Sequence, residues 1–178
     1  INFINKIKQD ILDLPKKIDD TLKCNDEIKS FAKQIYQEKD VFFLGRGIDE
    51  TVAREGSLKL KEISYIHSES YAAGELKHGT ISLIEKNTPV IALITNNDIA
   101  DKTISNIKEV LARGAYVILI TKENMEIPNC YNEIIKVPNT NNLLQPLLNI
   151  IPLQLLSYEI AKLRKCDIDK PRNLAKSV

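Results

Sequence analysis

The spacing of apolar and polar positions changes several times along the chain, and each change marks an element. Phe3, Ile4, Ile7, Ile11 and Leu14 recur at helical intervals up to Pro15, and Ile18 and Leu22 continue the series beyond it. Asn25 stands where an N-cap would, ahead of a second helical series of Ile28, Phe31, Ala32 and Ile35. The pattern then becomes a continuous apolar run, Val41-Phe42-Phe43-Leu44, ended by Gly45-Arg46-Gly47. A strand buried on both faces reads this way. Asp49 is placed to cap the next helix, which extends to about Tyr65, and the short His67–Ser70 stretch is a further strand candidate. A second apolar run, Pro89–Thr95, leads through the polar turn Asn96-Asn97-Asp98 into a helix carrying Ile99, Ile104, Ile107, Val110 and Leu111. Arg113-Gly114 closes that helix as a glycine C-cap would. Tyr116–Thr121 and Glu133–Val137 read as strands, and a long helix spans about Leu143 to Leu163. After Lys165 no apolar period remains, and the chain reads as an extended tail.

Apolar strands alternating with helices predict an α/β fold: a doubly wound, mostly parallel, flavodoxin-like sheet of about five strands flanked by helices, not a barrel. Ligands of such sheets sit beyond the C-terminal strand ends. Those ends here are Gly45-Arg46-Gly47, Ser70-Tyr71-Ala72, Thr95-Asn96-Asn97 and Thr121.

Composition narrows the setting. A length of 178 residues suits one domain with a full core, and 43% hydrophobic with 28% charged residues is ordinary for a globular chain. The net charge of +1 argues against a nucleic-acid surface. No apolar stretch approaches the ~20 residues that span a bilayer, and no leader pattern opens the chain. A cytoplasmic protein without membrane contact is expected. Cys24, Cys130 and Cys166 lack zinc spacing and read as reduced thiols, so no metal is expected. A start at Ile1 rather than Met suggests a piece of a longer polypeptide.

The chemistry-bearing residues concentrate in Glu55–His67 and in Glu75-Leu76-Lys77-His78-Gly79, which together hold amines, carboxylates and both histidines. On the helix from Asp49, Val52, Gly56, Leu60 and Ile63 line one face, while Glu55, Lys59 and Glu62 line another. That second face is either a solvated stripe of ion pairs or a site where Glu62 moves a proton and Lys59 tunes it. His78, in a short helix turning into a loop, reads as an exposed imidazole. His67 reads as a buried, hydrogen-bonded residue at a strand or helix end. Gly45-Arg46-Gly47 either turns its amides to an anion or is a tight strand-to-helix turn. Glu50 replaces the third glycine of a dinucleotide fingerprint. By pattern alone Lys176 is a solvated tail lysine.

Several separate motifs, in order, resemble one family. They are Phe43-Leu44-Gly45-Arg46-Gly47, the Glu55–His67 run, Tyr71-Ala72-Ala73-Gly74-Glu75-Leu76-Lys77-His78-Gly79, Pro152-Leu153-Gln154-Leu155-Leu156 and Asp169–Val178. From about residue 20 onward the chain resembles the second, C-terminal sugar-isomerase (SIS) domain of the glucosamine-6-phosphate synthases, the glutamine:fructose-6-phosphate aminotransferases. The family usually has proline at the position of Thr80, and it continues a few residues past Lys176-Ser177-Val178. The resemblance implies a helical linker over 1–22, a SIS domain over 23–164 and a tail over the active site from 165 to 178. It also implies roles. Glu62 carries a proton from C1 to C2 of the amino-sugar intermediate, beside Lys59. Lys176 forms a Schiff base with the open-chain ketose. His78 opens the ring, reaching the site from a neighbouring subunit, and the Ala175 backbone contacts the sugar. The implied ligands are fructose 6-phosphate and glucosamine 6-phosphate, with no cofactor. The implied partners are a first SIS domain, a glutaminase domain and a second copy in a homodimer. The family's phosphate loop, rich in serine and threonine, is absent here, so this chain alone is expected to be nearly inactive. A sugar-phosphate-binding SIS module without chemistry is the other reading.

Overall fold

The computed structural model describes residues 2–174. The chain runs α1 (Asn2–Leu22), α2 (Asn25–Ile35), β1 (Asp40–Gly45), α3 (Ile48–Ser64), β2 (His67–Ala72), β3 (Pro89–Ile94), α4 (Ala100–Leu111), β4 (Tyr116–Lys122), β5 (Glu133–Val137) and α5 (Gln145–Leu163). Short 3-10 turns at Leu76–His78 and Thr80–Leu83 join β2 to β3, and a third, Asn97–Ile99, precedes α4. The strands form one sheet in the order β2-β1-β3-β4-β5, every neighbouring pair parallel. This is the doubly wound α/β sheet that the apolar runs predict.

The continuous apolar strands serve two cores. Val41 and Phe43, Ile91 and Leu93, Ile118 and Ile120, and Ile135 and Val137 face α2, α3 and α5. Their alternates, among them Phe42, Leu44, Val90, Ala92, Val117 and Leu119, face α4 and the β2–β3 crossover, where Leu76 and Ile84 join them. Adjacent side chains of a strand point to opposite faces, so a run without polar breaks is what a sheet covered on both sides requires.

Several local expectations need correction. Asn25 is the first residue of α2, not its cap; Cys24 holds the cap position without a side-chain bond, and Asn25 Oδ1 is buried with no partner. Gly47, at φ +63°, holds the cap position of α3. That left-handed conformation suits glycine. Asp49 is turned inward instead, to Thr95. Strand β2 extends to Ala72, and His67 opens it largely exposed. The edge position of β2 explains this, because only β1 pairs with it in the sheet.

Helix α3 returns the chain from the C-terminal end of β1 to the N-terminal start of β2, and it packs on α5 at Gly56. A Cβ there would lie 2.5 Å from Leu153 Cδ1 and 3.1 Å from Leu153 Cβ. Gly56→Ala should lower stability by about 1–3 kcal/mol through overpacking, despite alanine's better helix propensity. An unchanged urea midpoint would show that α5 yields freely.

Candidate functional site

The last two turns of α3 carry the candidate acid–base group. Lys59 Nζ donates to Glu62 Oε2 at 2.8 Å and lies 3.5 Å from Glu55 Oε1. These side chains are neither buried nor free: Lys59 is 33% exposed and Glu62 27%. The hydrogen bond to Glu62 is the main cause that raises the Lys59 amine above its ordinary value, with the Glu55 charge adding to it. Lys59 therefore stays an ammonium at neutral pH. It can orient and charge-balance Glu62 but cannot itself serve as a free amine.

The sequence leaves open whether this stripe is only solvated, and the next turn bears on the question. Helix α3 ends at Tyr65, which adopts a left-handed conformation (φ 61°, ψ 18°) and donates its N–H to Lys61 O at 3.2 Å. A non-glycine residue there costs roughly 1–2 kcal/mol. The tail docks on this residue. Arg172 N–H donates to the Tyr65 hydroxyl at 2.8 Å, and the Arg172 guanidinium lies 4.2 Å above the Tyr65 ring. The end of the Glu62 helix and the tail segment therefore meet. Ala175 and Lys176 lie outside the described residues.

His78 lies elsewhere. Its 3-10 turn is seated by Leu76 in the core on the α4 side of the sheet, whereas Glu62 lies on a helix packed against the other side. The two residues thus belong to elements on opposite faces of the sheet within one chain. His78 itself is exposed, as the sequence predicts, and Gly79 beside it has open space around it. His67, by contrast, pairs Nδ1 with Asp40 Oδ1 at 2.6 Å at the sheet edge.

The Gly45-Arg46-Gly47 segment is the tight turn. The Arg46 guanidinium lies against the backbone of Gly74, where a Cβ would be 2.8 Å from Nη2, and Nη2 donates to Asn106 Oδ1 at 3.3 Å. Ala73 N–H donates to Gly45 O at 2.8 Å, which ties the His78 segment to the end of β1.

Of the C-terminal strand ends, where open sheets hold ligands, that of β3 is filled by a buried polar network that sequence reasoning missed, while that of β2 borders an open cavity of about 440 Å³ lined by Arg54, Lys61, Ser70 and Tyr71. Asp49 accepts from Thr95 N–H at 2.8 Å and from the Thr95 hydroxyl at 2.5 Å. Asn149 Nδ2 donates to Thr95 Oγ1, Gln145 Nε2 donates to Asn149 Oδ1 and to Pro138 O, and Gln145 Oε1 accepts from Thr140 N–H. The only available signal was a carboxylate and two amides at the helix starts and apolar faces. A cavity of about 30 Å³ remains beside this network, lined by Ile48, Thr95, Asn96, Asn142 and Gln145. Helix α3 places Glu62 far from it, about 21 Å along the axis from Ile48 at ~1.5 Å per residue.

Comparison with known proteins adds the following. Residues 34–164 match the family described as SIS domain. The chain is 55% identical to a glutamine–fructose-6-phosphate aminotransferase (isomerizing) of Clostridium perfringens, covering 100% of this chain and 30% of that protein. It is 46% identical to the protein of the same name from Methanosarcina acetivorans, covering 99% of this chain and 29% of that one. It thus spans about 30% of the length of the curated relatives it matches. Among solved structures it resembles the C-terminal domain of glucosamine-fructose-6-phosphate aminotransferase from Francisella tularensis, with TM-score 0.86 and 37% identity over 93% of this chain and 47% of that one. The sugar isomerase domain of an RpiR transcription factor from Sphaerobacter thermophilus shares the fold, with TM-score 0.69 and 18% identity over 91% of this chain and 90% of that one. No helix among the described residues is long and apolar enough to cross a membrane.

Burial pushes the Asp49 carboxyl up, against the opposing pull of the Thr95 bonds and the Lys122 charge. An acid whose folded value is raised binds more protons folded than unfolded, so stability falls as pH rises from its unfolded value through its folded one. The Asp49→Asn variant should therefore gain on the unaltered chain as pH rises from about 4 to about 7. Parallel stability–pH curves would show that Asp49 is not strained by burial.

Proposed function

The chain belongs to the SIS-domain family, and from that premise we propose that it supplies the acid–base helix and tail of an isomerase domain in a glutamine–fructose-6-phosphate aminotransferase. The observation that carries this reading is the Lys59–Glu62 pair, 2.8 Å apart, one turn before the residue on which the tail docks. In this reading ammonia adds to C2 of open-chain fructose 6-phosphate and water leaves, forming a C2 imine. Glu62 takes a proton from C1. The C–H pair becomes the C1–C2 double bond, and the imine pair moves to nitrogen, which takes up a proton to give an enolamine. Glu62 then returns its proton to C2 as the C1 hydroxyl releases its own proton and C1 becomes the aldehyde, so the hydroxyl proton replaces the one nitrogen took. A half-buried carboxylate suits both directions of transfer, and the fixed Lys59 charge balances it when ionised. Lys176 forms the Schiff base with the ketose before ammonia replaces it, and Ala175 contacts the sugar.

His78 acts in this reading from a second copy of the chain, because within one chain the sheet separates it from Glu62. The phosphate grip comes from a first SIS domain and the ammonia from a glutaminase domain. The alternative, a binding module without chemistry, finds less support. The end of β3, one place where it would hold a sugar phosphate, carries the Asp49 carboxylate and a cavity of about 30 Å³, while the open cavity of about 440 Å³ at the end of β2 has the Glu69 carboxylate in its lining.

In the complete aminotransferase, Glu62→Gln should lower glucosamine 6-phosphate formation by about 10²–10⁴-fold while fructose 6-phosphate still binds. Turnover within a few-fold of the unaltered enzyme would remove Glu62 from the mechanism. The isolated chain should show little isomerisation of fructose 6-phosphate, and efficient turnover by it would contradict the division of labour.

A further inference from the structure

We propose that Arg46 is a positioning residue: its guanidinium is the platform on which the Ala72–Glu75 turn rests, and through that turn it fixes where His78 is presented. The inference rests on the reading of His78 as the group that opens the sugar ring. Three observations carry it.

The first is the state of the guanidinium. Arg46 follows β1 at its C-terminal end and is only partly exposed, yet it makes no ion pair among the described residues. Its Nε is buried without a partner, and Nη2 donates to the neutral Asn106 Oδ1 at 3.3 Å. A cation drawn out of water without a carboxylate is costly, and an apolar side chain would fill the same space at less cost. Such an exception asks for a reason.

The second is what the guanidinium touches. A Cβ on Gly74 would lie 2.8 Å from Arg46 Nη2. The glycines with positive φ among the described residues are Gly47, Gly79 and Gly114. Close approach of Arg46, not backbone conformation, therefore accounts for glycine at position 74.

The third is the set of contacts that leads from Gly74 to His78. Ala73 N–H donates to Gly45 O at 2.8 Å, Glu75 N–H donates to Ala72 O at 2.7 Å, and His78 N–H donates to Glu75 O at 3.1 Å. Ala73 and Leu76 are each 1% exposed, so the turn is pinned on both sides of Gly74. The backbone of the exposed His78 is thus bonded to the segment that Arg46 supports.

Opening the furanose form of fructose 6-phosphate breaks the C2–O5 bond. O5 takes a proton, the C2 hydroxyl gives one up, and C2 becomes the ketone. An imidazole serving this exchange must be held within hydrogen-bond reach of the sugar, and a displacement of about 1 Å costs on the order of a hundredfold. Arg46 supplies the fixed seat that an exposed side chain on a short turn lacks by itself.

The test has two arms. In this chain, amide hydrogen exchange at His78 N–H reads opening of the turn. Arg46→Met, which keeps the length and removes the guanidinium, should speed that exchange on the order of tenfold while the amides of β3 and β4 keep their rates. Arg46→Lys, which keeps the charge without the planar fork, should lie between the two. Gly74→Ala, whose methyl drives the guanidinium off the turn from the other side, serves in place of the methionine variant if that one fails to fold. In the complete aminotransferase, fructose 6-phosphate is compared with 5-deoxyfructose 6-phosphate, which lacks O5 and stays open-chain. Arg46→Met should lower kcat/KM on the order of tenfold or more for fructose 6-phosphate, and by less than about threefold for the analogue.

Unchanged exchange at His78 in both Arg46→Met and Gly74→Ala overturns the platform. Faster exchange with equal losses on the two substrates overturns the positioning of His78, because a general weakening of the domain affects both alike. His78→Asn reads the premise separately. If it lowers turnover of the two substrates equally, the ring-opening reading falls, and the positioning role falls with it, even where the exchange result stands.

Discussion

Two parallel neighbours in one sheet must be joined by a connection that travels back the full length of the sheet, and this constraint governs the molecule. Helix α3 is that connection between β1 and β2. Its start is therefore fixed at the C-terminal strand ends and its finish at the opposite edge. The two ends of one helix acquire different surroundings. The first is sunk in a closed polar network through Asp49, and the second is half exposed with Glu62, Lys59 and the docked tail. Close approach to α5 at Gly56 holds the helix in this slot.

The same constraint shows why the sequence is readable in some respects and not in others. The doubly wound sheet follows from runs such as Val41-Phe42-Phe43-Leu44, because strands buried on both faces cannot afford polar alternation. The exposed His78 follows from its place at the end of a short helix that turns into a loop. Asp49 and Asn25 resist such reading. Both residue types cap helices, and which of them turns inward depends on partners far along the chain, Thr95 in the case of Asp49. His67 resists it too, because an edge position is a property of strand order and not of local pattern.

The candidate site was legible as residues but not as an arrangement. The spacing of Glu55, Lys59 and Glu62 is equally that of a solvated stripe, and only the three-dimensional contact of Arg172 with Tyr65 sets this stripe apart from others. Family resemblance assigned the roles. Geometry adds that His78 and Glu62 belong to elements packed on opposite faces of the sheet within one chain.

The two strands that border the sheet lead to a final point. Strand β2 carries His67 and Glu69 along its open side, and β5, at the far border, carries Glu133 and Lys136. Charged residues on bordering strands discourage the addition of another strand. The two borders of this chain's five-stranded sheet are therefore poor templates for a further strand.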